Sequence, residues 1–320
     1  MKTLFDRTYL LALSMFALAA PAGCDEPDAG FGGGDDIEDR CPGCGGIVFN
    51  TNAIGTTYFS EIDLNGLRHD NVVFEGAEMY GVPLKKIYVA DGELIGERND
   101  VSKYRGSRVI GMVIHIIVEI DKQDVKTALT IVGADHTQGY WRYSVRYTNY
   151  LNKEATPTCE QDENGDSSMV LYGNITVDTE RGDINDRPDT IYFGCVSGAV
   201  GKARTNDWHF APYDPAVKIA GFEAVVRAIR ADYCGDGVSY TKAGNALQLK
   251  DQSGYHDFLN AAVATEAVWA RGGGATCLDT PRWEGTIARE DVHCADALPR
   301  CDSNAPDYYA DGFIWSKVAP

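Results

Sequence analysis

The 320-residue chain is poor in positive charge: 29 Lys and Arg stand against 47 Asp and Glu, a formal net charge of −18. That balance argues against a nucleic-acid partner, whose phosphates require Lys and Arg, and against electrostatic attachment to anionic lipid. Beyond the first twenty-odd residues there is no run of about 20 apolar residues of the kind a transmembrane helix needs. The metalloprotease pattern HExxH and the nucleophile-elbow pattern GxSxG are both absent. The six histidines, His69, His115, His136, His209, His256 and His293, are scattered. No internal repeat is visible. Zinc-protease and serine-hydrolase chemistry and membrane spanning by a later helix therefore have no motif here, and no cofactor is expected.

What the chain does have begins at its first residues, "MKTLFDRTYLLALSMFALAAPAGCDEP". Lys2 and Arg7 precede an apolar run from Tyr9 to Ala20, followed by small residues. This order predicts a secretory signal peptide over residues 1–23, too short to span a bilayer. "PAGC" resembles a bacterial lipobox, in which the cysteine is lipidated and becomes the mature N-terminus; Pro21 stands where leucine is usual. The expectation is lipidation at Cys24 and a membrane partner reached through that lipid alone, in the cell envelope, periplasmic or at the cell surface. Cleavage removes Lys2, Arg7 and Asp6, a net +1, and takes the chain from −18 to −19. Residues 24–46 continue as an acidic, glycine-rich linker ending in "CPGCGG". It has too little apolar surface to fold alone.

From residue 47 to 203 the pattern is that of short strands. "GIVFNTN", "NVVFEGAEMYGV", "KKIYVADGELIGE", "RVIGMVIHIIVEI", "ALTIVGA", "YWRYSVRYTNY", "MVLYGNITV" and "TIYFGCVSG" are rich in β-branched and aromatic residues and separated by turn clusters. In one of them Trp141, Tyr143, Val145 and Tyr147 alternate with Arg142, Ser144, Arg146 and Thr148, as in a half-buried antiparallel strand. Consecutive strands with no intervening helix predict a mainly β fold with an antiparallel, sandwich-like domain. Residues 204–320 change character and predict a small disulfide-bonded α+β unit. "DPAVKIAGFEAVVRAIRADYC" places Val217, Phe222, Val225, Val226 and Ile229 at helical spacing. A second helix is expected around Asp257–Val268, then strand, glycine turn and strand across "TEAVWARGGGATCL", then an irregular tail from 278 onward.

The segment "RADYCGDG" after that helix, with "EAVWARGGGATCL" beyond it and "WRYSVRY", Cys159 and "FGCVSGAVGKA" before it, resembles the ADYC domain of exported bacterial proteins. The resemblance covers about residues 140–283. It implies an exported, disulfide-bearing domain and brings no catalytic residues. The family often carries cysteines where this chain has Ala203 and Val225; the resemblance implies that the two bridge each other elsewhere, leaving packing to hold the helix here.

Cys24 aside, eight cysteines remain as disulfide candidates: Cys41, Cys44, Cys159, Cys195, Cys234, Cys277, Cys294 and Cys301. Their even number in an exported chain reads as a disulfide set. Cys41 and Cys44 have redox or zinc spacing, but no second pair repeats it, so a structural disulfide is expected there. The motif residues Ala231, Asp232, Tyr233, Cys234, Gly235, Asp236 and Gly237 fit a calcium loop poorly, since Cys234 and Ala243 fall where oxygen ligands belong. Acidic neighbours also disfavour a reactive thiol at Cys234. The expected arrangement is a helix ending at that cysteine, Gly235 as its left-handed cap, and a bridge to Cys277. Asp162, Asn164 and Asp166, and Asp183 and Asp186 with Asn185 and Asp189, lie in acidic turns and are weak calcium candidates; solvated hairpin loops are the expectation. No other metal site is expected.

The functional expectation is a non-enzymatic envelope module that binds a protein or glycan. The alternatives are a hydrolase-like enzyme with a dispersed or calcium-dependent site, and a purely structural lipoprotein. Intact-mass measurement of the protein from its native membrane is expected to show acyl groups on a chain beginning at Cys24; an unmodified mass contradicts the lipid anchor.

Overall fold

The computed structural model describes residues 47–318, apart from 50, 56, 58, 70, 121, 150–153, 163, 206–207, 243–244, 258–264, 283–286 and 302–311. Cys24, Cys41 and Cys44 lie outside the described residues. The strands in chain order are β1 (Ile47–Phe49), β2 (Glu61–Asp63), β3 (Val72–Met79), β4 (Val82–Pro83), β5 (Lys86–Ala90), β6 (Glu93–Glu97), β7 (Lys103–Tyr104), β8 (Met112–Ile120) and β9 (Gln123–Thr137). They continue as β10 (Tyr140–Asn149), β11 (Ala155–Pro157), β12 (Met169–Val177) and β13 (Ile184–Cys195). Helices α1 (Ala199–Lys202) and α2 (Lys218–Arg230) come next, then β14 (Ala246–Asp251), β15 (Thr265–Ala270), β16 (Ala275–Leu278) and β17 (Gly312–Val318).

The protein is mainly β, and every strand pairing among the described residues is antiparallel. One large sheet runs β2-β13-β12-β10-β9-β8-β3-β4, with β11 added on β10. A small sheet, β5-β6-β7, and a five-stranded sheet, β1-β14-β17-β15-β16, complete the fold. The small sheet lies against the large one to make a sandwich. Its Ile87, Val89 and Leu94 share a core with Ile114, Ile116, Leu129, Ile131, Tyr143, Val145, Leu171 and Phe193. Tyr143 ties the two layers, its hydroxyl accepting the buried Leu94 N–H at 2.8 Å. At Gly173 the layers approach so closely that a Cβ would stand 2.5 Å from the Val89 carbonyl oxygen.

The stretches 169–172 of β12 and 190–195 of β13 are buried on both faces, which explains why "MVLY" and "IYFGC" read as continuous apolar runs rather than alternations. Leu171 and Phe193 face the sandwich core. Val170, Tyr172 and Tyr192 face a second core, built with α2 and with Leu247, Leu249, Trp269, Phe313 and Ile314 of the five-stranded sheet. Helix α2 is thus enclosed between two sheets: ten of its residues, from Gly221 through Arg230, are buried. Ala203 and Val225 both lie fully buried in this second core, where apolar side chains fill the places that the resemblance assigns to cysteines.

Two expectations are corrected. The helix expected around Asp257–Val268 does not reach its C-terminal end: 265–268, where it overlapped the expected strand of "TEAVWA", belong to strand β15 (Thr265–Ala270); residues 258–264 lie outside the described part. The tail is not irregular throughout, because Gly312–Val318 forms the middle strand of the five-stranded sheet. Its partners β14 and β15 lie far back in the sequence, so its order comes from pairing rather than from local pattern.

Glu61 on β2 is buried, and burial pushes its carboxyl above the ordinary value of 4.5, against the pull of Thr176, His69 and Arg187. A carboxyl raised in the folded state contributes stability that is intact below 4.5 and is lost as pH rises through the folded-state value. Glu61→Gln is therefore expected to raise the thermal midpoint at pH 7 and to leave it nearly unchanged at pH 4, measured by calorimetry; equal shifts at both pH values contradict the burial argument.

Candidate functional site

The C-terminal end of α2 carries the most specific sequence signal, and its geometry follows from three problems that the helix end creates. The first is termination. Ala231 adopts the left-handed conformation (φ 53°, ψ 39°), with its N–H donating to the Ala228 carbonyl and the Asp232 N–H donating to the Arg227 carbonyl. This is the double closure that ends many helices. The expected cap, Gly235, is not the terminator: the helix stops at Arg230, four residues before Cys234. Gly235 (φ 70°) instead lets the chain pass against Gly274, where a Cβ would come within 2.8 Å of the Gly274 nitrogen.

The second problem is charge. Arg227 is 2% exposed and Asp232 is not exposed at all. Arg227 Nη1 donates to Asp232 Oδ2 at 2.7 Å, its Nη2 to Asp183 Oδ1 at 2.6 Å and its Nε to Glu223 Oε1 at 3.0 Å. The remaining Asp232 valences take the backbone N–H groups of Asp236 and Gly237, both at 3.1 Å. Burial works against ionised Asp232 and raises its carboxyl, while Arg227 and Arg230 draw it down. For Arg227, burial is outweighed by Asp232 and Glu223, and its guanidinium sits above the ordinary value. Arg230 fixes the loop's far side, its Nη2 donating to the Gly237 carbonyl at 2.7 Å and its Nε to the Asn52 carbonyl at 3.1 Å.

The third is the helix's unpaired carbonyls. Arg282, wholly buried, donates from Nη1 to the Ile229 carbonyl at 2.9 Å and grips Glu266 with Nε at 2.7 Å and Nη2 at 3.0 Å. Tyr233 completes this pair: its hydroxyl donates to Glu266 Oε1 at 2.7 Å and accepts the Arg282 N–H at 3.0 Å. Its ring stacks on Trp269 at 5.3 Å between centroids. Cys234 then bridges to Cys294, so the expected Cys234–Cys277 pairing is corrected; Cys277 pairs with Cys301 and Cys159 with Cys195. The reason is register: Cys277 lies on β16 opposite Val268 of β15, and its sulfur is turned toward the later tail.

The acidic turns are used internally. Asp162 Oδ1 accepts the N–H groups of Asn164 and Asp166, at 2.8 and 2.9 Å. Asp166 pairs with Arg142 and accepts the Ser168 N–H. Asp183 faces Arg227, and Asp186 pairs across the sheet with Ile175. Among the described residues none of these carboxylates joins two other carboxylate, imidazole or thiol ligand atoms within 4.8 Å; the group that does is Cys234, Asp236 and His293. Arg227, Glu266 and Arg282 were not singled out in the sequence. The available signal was the Glu223–Arg227 pair at i, i+4 on the helix's apolar side, and a glutamate within the apolar run "EAVWA".

The ADYC domain model matches residues 106–284, more than half of the chain. No curated protein and no solved structure matches it. Removing one partner of a buried ion pair costs about 3–5 kcal/mol. Arg227→Ala and Asp232→Ala are each expected to lower the urea unfolding free energy by about that amount, and the double variant by clearly less than the sum of the two. Additive losses would show that the pair does not act as a unit.

Proposed function

The chain belongs to the ADYC domain family, and we propose that it is an exported, lipid-anchored module of the cell envelope that binds a partner protein. The leader pattern and Cys24 support the export and the anchor. The buried residues of the "RADYCGDG" corner, Arg230 and Asp232 and Tyr233, are occupied with one another and with the core, which leaves recognition of a protein to another surface.

The observation that carries the reading is an exposed apolar group at one edge of the large sheet. Tyr80 is 76% exposed and Val82 45%, at the turn from β3 to the two-residue edge strand β4. The Tyr80 ring lies against Gly111, and its hydroxyl donates to the Ile110 carbonyl at 3.4 Å, next to the exposed Ile110 side chain. Exposed apolar residues gathered at a sheet edge suit a protein partner better than a glycan, because they offer few hydrogen-bond donors and acceptors.

A photo-crosslinking side chain at position 80, introduced in the native envelope, is expected to give a discrete protein adduct that Val82→Asp and Ile110→Asp each abolish. Absence of an adduct, or an adduct indifferent to both substitutions, overturns the reading.

A further inference from the structure

Cys234–Cys294 differs from the other described disulfides in its surroundings. Both of its cysteines are partly exposed, whereas Cys159, Cys195 and Cys277 are buried. Beside it stands His293, with its side chain 51% exposed. His293 Nε2 lies 2.8 Å from Asp236 Oδ2, and Nδ1 lies 2.5 Å from the Tyr240 hydroxyl and 3.7 Å from Cys234 Sγ. In neutral His293 the carboxylate fixes the proton on Nε2, so the Nδ1 lone pair is turned toward Tyr240 and the disulfide. A carboxylate behind an imidazole is the usual way a protein orients a metal-binding histidine.

The spacing is also that of a metal site. With zinc–sulfur bonds of about 2.3 Å and zinc–nitrogen bonds of about 2.05 Å, sulfur and nitrogen stand about 3.6 Å apart across a tetrahedral edge. The 3.7 Å between Cys234 Sγ and His293 Nδ1 matches this. Two groups have to move: Cys294 Sγ, which swings out about its own Cα–Cβ bond, and the Tyr240 hydroxyl, which holds the Nδ1 lone pair in the oxidised protein. We propose that, once the Cys234–Cys294 disulfide is reduced, the two thiolates and His293 Nδ1 form a three-ligand site for a thiophilic divalent cation of the zinc class, with Asp236 orienting the imidazole and the fourth position left beside Tyr240.

The chemistry balances with a small thiol as reductant. Two thiol molecules supply two electrons and two protons, the Cys234–Cys294 bond breaks to give two thiols, and the reductant leaves as its own disulfide. The cation then displaces both thiol protons to water, giving a neutral Cys2His complex, and takes the Nδ1 lone pair. Tyr240 loses that acceptor, while its oxygen still accepts the His293 backbone N–H at 3.1 Å. In the oxidised protein neither sulfur is a thiolate, so the disulfide state decides whether the site exists.

The test uses the full chain with Cys24, Cys41 and Cys44 replaced by serine, under limited thiol reduction that opens Cys234–Cys294 and leaves Cys159–Cys195 and Cys277–Cys301 closed, as checked by thiol blocking and peptide mass. The reduced chain is desalted under argon and titrated with cobalt(II). The reduced chain is expected to take one cobalt, with a near-ultraviolet thiolate-to-cobalt band and tetrahedral bands in the visible; the oxidised chain is expected to show neither. Asp236→Asn is expected to weaken binding by about 10- to 100-fold, and His293→Ala to remove the tetrahedral bands. Absence of uptake, uptake unchanged in His293→Ala, or a loss of fold on reduction that cobalt does not reverse, followed by circular dichroism, would each overturn the proposal.

Discussion

A carboxylate with no contact with water must be compensated on every side, and Asp232 is such a group. Most of the second core is arranged around that requirement. Arg227 has to sit in the last turn of α2, with its guanidinium pointing past the helix end to Asp232 in the loop beyond it. It brings in Glu223 and Asp183, and so draws the 178–183 turn of the large sheet onto the helix. The loop from 232 to 237 has to fold back so that its own N–H groups meet the carboxylate, which places Gly237 (φ 92°) where a Cβ would collide with the Glu180 carbonyl. Four residues named by one tetrapeptide thus do four different things: Ala231 turns the chain, Asp232 collects the N–H groups, Tyr233 reaches the Arg282–Glu266 pair, and Cys234 staples the corner to the tail.

This corner joins elements that are distant in sequence. Tyr233 and Arg282 link the helix to β15 through Glu266, and Arg227 links it to the turn before β13. Because β12 and β13 also face the sandwich core, the two halves of the chain share strands that neither half could bury alone. The buried residues of the corner are spent on cohesion, and what they leave at the surface is the partly exposed Cys234–Cys294 bridge beside His293 and, elsewhere, the apolar sheet edge at Tyr80.

The alternation through Trp141 to Thr148 is reproduced by the fold, with Tyr143 and Val145 buried and Ser144 and Arg146 exposed. The helix before Cys234 and the strand, glycine turn and strand of β15 and β16 were equally legible, because their periodicity and glycines are local signals. Strand β17 was not: Phe313 and Ile314 are a short apolar run whose order depends on partners far back in the sequence, in β14 and β15. The cysteine pairing was illegible for a different reason, since sequence spacing does not say which way a sulfur on β16 points. The charged residues misled most. Arg227, Glu266 and Arg282 look like ordinary surface groups until their mutual positions are known, because a buried ion pair is made by tertiary placement and leaves no local pattern. The acidic turns misled in the opposite direction: their spacing suggested cation ligands, and backbone N–H groups and arginines took the oxygens.

The central claim is that the Asp232–Arg227 and Tyr233–Glu266–Arg282 contacts form a corner that opens only when the protein unfolds. Native-state hydrogen exchange resolved over residues 228–240 and 265–270 tests it most directly. The opening free energy of these amides should equal the global unfolding free energy and fall with urea at the same slope. Exchange through a local opening several kcal/mol below the global value, and insensitive to urea, would show that the corner is a detachable flap and contradict the claim.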